Sequence, residues 1–175
     1  MVEDSMVEDV ISIMSDLLRV ENEVRRVGSR LESAAKKVSE HFKSKLHELA
    51  KELELKSSKD LSLTVYVDGK IKQDGFYINV STIKIRLEHD GSAEISFTYR
   101  TGTGPGSIIL RSDTTRSITI PLTSMNSLDL VLLMENKDEI RRMLREALDK
   151  KKKELKKLDS LEKRVLEEFS EILAT

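Results

Sequence analysis

Four groups of residues in this 175-residue chain have types and spacings that could do chemistry. The histidines come first: His41, His47 and His89, with no cysteine to join them. His41 and His47 are too far out of phase to share one side of a helix, and no HExxH pattern occurs. Without Cys, thiolate catalysis, disulfides and Cys-ligated zinc are ruled out. Surface histidines are expected, and no metal site. The second group is the loop TGTGPGS, Thr101 to Ser107, which has the glycine content of a phosphate cradle. It lacks the Lys and Ser/Thr of a Walker A loop, and the residues after it read as strand, so no helix N-terminus is there to hold an anion. A hairpin loop is the expectation. The third group is cationic: Arg141, Arg142, Arg145, Lys150, Lys151, Lys152, Lys153, Lys156 and Lys157. Such a run is either a solvated helix face or an electrostatic surface for nucleic acid or an acidic protein. No aromatic residue is interleaved with it, so stacking on unpaired bases is unsupported. The carboxylates form the fourth group. They are many, but none is marked out as an acid–base pair, and no GxSxG, kinase or dinucleotide pattern is present. The chain reads as a non-enzyme without cofactor, and an enzyme with an unrecognised site is a third alternative.

Composition agrees with that restraint. Thirty basic and 31 acidic residues leave a formal charge of −1, so global charge pulls toward neither nucleic acid nor an anionic membrane. Aromatics are 4% of the chain and Trp is absent, so a core must be built from Leu, Ile and Val. No stretch approaches the ~18 continuous apolar residues of a membrane span. The acidic start, MVEDSMVEDV, is unlike a signal peptide, and a cytoplasmic protein is expected. Dense Lys, Glu and Arg without Cys is also a thermophile-like composition.

What must position these groups is more legible. Met6, Val10, Ile13, Leu17, Val20, Val24, Val27, Leu31, Ala34 and Val38 follow one another in alternating steps of four and three. That is the seam of a coiled-coil helix, predicted over residues 1–55. Val7, Ile11, Met14 and Leu18 widen the apolar face at its start beyond what one partner needs. Gly28 interrupts the helix at a cost of ~1 kcal/mol relative to Ala and marks a bend or a close backbone approach.

Over 61–122 the period changes to two. Leu61, Leu63, Val65 and Val67 alternate before Asp68-Gly69, a dipeptide suited to a tight hairpin, with another at Asp74-Gly75. Phe76, Ile78 and Val80 alternate on one parity and Ile83, Ile85 and Leu87 on the other, which predicts a β-bulge at Ser81-Thr82. Turns at Asp90-Gly91 and Asp113-Thr114, with Ile108 and Leu110 between, complete an antiparallel meander of five or six strands. Over 124–175 a short apolar run, Leu128 to Met134, is expected to pack on the sheet. Asn136 and Glu139 suggest a capping box for a last helix reaching about Leu173.

The expected architecture is α+β in one domain. Long terminal amphipathic helices pack as an antiparallel coiled coil flanking the sheet. The overhanging residues Met6, Val7, Val10, Ile11, Ile13, Met14, Leu17 and Leu18 would join a homodimer or higher oligomer, since each buried aliphatic side chain contributes ~1.5 kcal/mol or more. The order of helix, hairpins and helix, with the string VYVDGKIK from Val65 to Lys72, resembles prefoldin subunits. That resemblance implies a chaperone-like protein with coiled-coil arms on a β platform. This β region is longer, and Leu128 to Met134 has no place in that pattern. The leading expectation is a self-associating, non-enzymatic interaction protein, with nucleic-acid binding through the basic helix as the alternative.

Overall fold

The computed structural model describes residues 2–53, 60–101 and 114–174. Helix α1 spans Val2–Glu52 without a break. Strands β1 (Leu61–Gln73), β2 (Phe76–Leu87), β3 (Ala93–Thr101) and β4 (Thr114–Ile120) follow, then α2 (Ser127–Glu135), α3 (Lys137–Glu168) and the short α4 (Ser170–Leu173). The strands form an antiparallel meander in the order β1-β2-β3-β4. No helix among the described residues is long and apolar enough to cross a membrane.

Four strands among the described residues, not five or six, correct the sequence reading. Asp68-Gly69 does not turn the chain; it lies inside β1. Tyr66 pairs with Thr82 and Gly69 with Val80, so Val67 and Asp68 together oppose Ser81. The bulge expected at Ser81-Thr82 is thus carried by the facing strand β1, opposite Ser81, and it lets β2 change parity while Val65, Val67 and Ile71 of β1 keep one face buried. The turn falls at Asp74 and Gly75, with φ of 51° and 80°, the two positive values a two-residue hairpin requires. Gly69 answers a different need: a Cβ there would overlap the Met143 sulfur of α3. Ile108, Leu110, Asp113 and the loop from Gly102 onward lie outside the described residues.

One face of the sheet is covered. Phe97, Ile71, Ile83 and Ile120 of the sheet and Met143 of α3 are the largest fully buried side chains. Leu130 of α2 and Ile140 and Ala147 of α3 close over them, so the run after Ser127 packs where expected. Helix α1 enters this core only through its second half, by Ala35, with Ala34, Val38, Phe42 and Leu46 beside it. The capping box belongs to α2, where Asn126 and Asp129 bond reciprocally. Asn136 makes no side-chain cap on α3. The side-by-side pairing expected between α1 and the last helix is not seen in the single chain. The first half of α3 lies on β1 and the second half of α1 on the core and α2, which separates the uses of the two stripes.

Candidate interaction surface

The surface is defined by where the two long helices stop being held. On α3 the holding residues are polar. The free edge of β1 presents the backbone groups of Tyr66, Asp68, Lys70 and Lys72, and α3 satisfies them in turn. Lys72 N–H donates to Asn136 Oδ1 at 2.7 Å and Lys72 O accepts from Asn136 Nδ2 at 2.9 Å. Lys70 N–H donates to Glu139 Oε1 at 3.1 Å. Arg142 donates to Asp68 O, and Lys150 Nζ donates to Tyr66 O at 2.7 Å. An open edge is a template for unwanted strand pairing, and here side chains occupy it.

Arg142 also bonds Glu139 at 2.8 Å and Glu146 at 3.2 Å, and Lys150 reaches Glu146 at 3.2 Å. The Arg142 guanidinium holds the Glu139 carboxyl below its ordinary value of 4.5, and Glu139 in turn raises Arg142. Burial pushes the Glu146 carboxyl up, but the bonds led by Lys150 outweigh it and leave it lowered. A depressed carboxylate stabilises the fold above its unfolded pKa and loses that contribution as pH falls through its folded pKa. The thermal midpoint is therefore expected to decline as pH drops below 4.5. Glu139→Gln should flatten that decline, read as midpoint against pH; an unchanged slope would contradict the clamp.

The cationic cluster of α3 thus divides. Arg142 and Lys150 clamp the sheet edge. Arg141 lies 3.9 Å from Asp138 and Lys151 2.9 Å from Glu154. Arg145, Lys152, Lys153, Lys156 and Lys157 are exposed and have no ion pair among the described residues. Composition could not separate these roles, because the clamp depends on which carbonyls the β1 edge exposes.

On α1 the last holding contacts are Ser39 Oγ, which accepts from Met125 N–H at 2.8 Å, and the Glu32 carboxylate, which accepts from Ser127 N–H at 3.0 Å. Before Glu32 the apolar stripe continues, and nothing among the described residues covers it. Met6, Val7, Val10, Ile11, Ile13, Met14, Leu17 and Leu18 are all exposed, with Met6 at 69% and Leu17 at 63%. Val20, Val24, Val27 and Leu31 extend the open stripe to the edge of the core. From Met6 to Leu31 it runs about 38 Å. On α3 the stripe past Ala147 is open in the same way at Leu148, Leu155, Leu158, Leu161 and Val165, over about 30 Å to the helix end.

The remaining candidates are scattered. His41, His47 and His89 are exposed, and His47 Nδ1 lies 3.3 Å from Asp90 O. No group of three His, Cys, Asp or Glu side chains among the described residues could hold a metal ion. Glu88 and Glu94 share an open cleft with Lys43 and Arg86, and Arg86 pairs with Glu88 at 3.2 Å. No protein-family model matches the chain, and neither a curated protein nor a solved structure matches it.

Proposed function

We propose that this chain is a non-enzymatic interaction protein that assembles with itself through its projecting helices and presents the β platform to a partner. The open stripe of α1 carries this reading. A solvated monomer rarely exposes a contiguous apolar patch of this length. A helical arm without tertiary cover also has only propensity to hold it, and packing supplies most helix stability in proteins. The eight seam residues from Met6 to Leu31, at about 1.5 kcal/mol each in both copies, give roughly 24 kcal/mol gross, above the ~4–15 kcal/mol that association costs. The resemblance to prefoldin subunits stays one of element order and assigns no residue here.

Light scattering tests this. The full chain should have at least twice the 19.9 kDa mass of one copy. A chain starting at Arg19 loses half the exposed seam but none of the described core, and should lose assembly mass. An unchanged mass would contradict the reading. Arg145, Lys152, Lys153, Lys156 and Lys157 of α3, exposed and without an ion pair among the described residues, support a second reading, nucleic-acid binding through that face; retardation of generic DNA that weakens with salt supports it, and no retardation at low salt removes it.

A further inference from the structure

Resting on the reading that α1 mediates self-association, we infer that the arms of two copies pair antiparallel, the acidic tip of each lying on the basic base of the other. Charge along the arm points to this. In the middle, every acid has a base one turn away: Asp16 with Arg19 at 3.9 Å, Glu21 with Arg25 at 3.0 Å, Glu23 with Arg26 at 3.0 Å. Among the described residues, the charges without an ion pair differ in sign at the two ends of the arm: Asp4, Glu8 and Asp9 at the tip, and Arg30, Lys36 and Lys37, with Glu32 between them, where the arm meets the core. A parallel in-register pair brings the two acidic tips together. An antiparallel pair brings each acidic tip to the net basic base of the other copy, with Asp9 beside Arg30, and like charges gathered at one end of an interface select against the first.

The exposed seam fixes the register. Antiparallel overlap of the uncovered stretch places Met6 on Leu31 of the second copy, Val10 on Val27, Ile13 on Val24 and Leu17 on Val20. Each layer is then apolar, and the overlap stops where the helix enters its own core at Ala35. Gly28 fits the same register. It lies on the flank of the seam, and a Cβ there would meet nothing within 4 Å in the single chain. Across the pair it faces Val7, where a missing side chain admits a larger one. Asp16 comes near Glu23 of the second copy, the one unfavourable match, and each already has its own arginine. Helix α3 is the poorer partner for this seam, because Lys151 and Glu162 stand at seam positions in its stripe.

The chain has no native Cys, so single spin labels can be placed cleanly at Ser5→Cys and Asn22→Cys, both on exposed polar positions. Dipolar spectroscopy on the full chain should give ~40 Å or more between Ser5 labels, from the axial rise, and a clearly shorter distance between Asn22 labels, whose axial offset is only ~10 Å. Short distances at both sites mean parallel pairing; long distances at both mean that α1 arms do not pair. Either overturns the antiparallel inference and leaves self-association standing. No coupling, with the mass of a single copy, overturns both.

Discussion

Replacing Ile13 and Leu17 together by glutamate is expected to leave a folded monomer. Both side chains are more than half exposed in the single chain, at 59% and 63%, so the sheet and its helices lose no packing. In the proposed assembly both sit in the seam, and each change removes about 1.5–3 kcal/mol of burial per copy and adds a charge that must be desolvated. Two changes in each of two copies therefore weaken association at least ~10,000-fold, at 1.4 kcal/mol per factor of ten. Sedimentation reads the dissociation, and circular dichroism of the sheet should stay as in the parent chain. A variant that still assembles would place the contact elsewhere.

The second large effect concerns the platform. Gly91→Ala is expected to lower stability by about 3 kcal/mol, with a thermal midpoint drop of ~6–12 °C. Gly91 has φ of +90°, which L side chains rarely adopt, and its added Cβ would lie 2.7 Å from the His47 Cα and 2.8 Å from the His47 backbone nitrogen. The β2–β3 turn and α1 meet here, and an α-helix backbone cannot yield as a flexible side chain can. Gly75→Ala is the control. It has φ of +80° but nothing within 4 Å, so it should lose only the ~1 kcal/mol of an unfavourable turn conformation. Equal midpoint losses in the two variants would contradict the contact between turn and helix.

The stripe of α1 was readable because alternation of fours and threes is a local property, and nothing in the fold interrupts it. The bulge was readable for the same reason: Val80 and Ile83 cannot both face inward without an odd step. Asp68-Gly69 misled because two dipeptides with the same turn chemistry lie six residues apart, and the choice between them is tertiary. Gly69 is needed where Met143 presses on β1, and Asp74-Gly75 is left to turn. Asn136 makes no cap on α3, and Arg142, exposed on its helix, also clamps the sheet edge. Their partners are backbone groups of β1 over sixty residues away, which no local pattern records. The division of the two helices into a held half and an open half was likewise invisible, since the apolar stripe of α1 runs unchanged from one to the other.

Sedimentation equilibrium of the unmodified chain over a wide concentration range bears most directly on the claim that the α1 stripe is covered by a second copy. A fitted mass at or above twice 19.9 kDa, falling toward 19.9 kDa on dilution or on introduction of Ile13→Glu and Leu17→Glu, is the expected result. A single species of 19.9 kDa at every concentration would mean that the stripe stays in water, and the account fails.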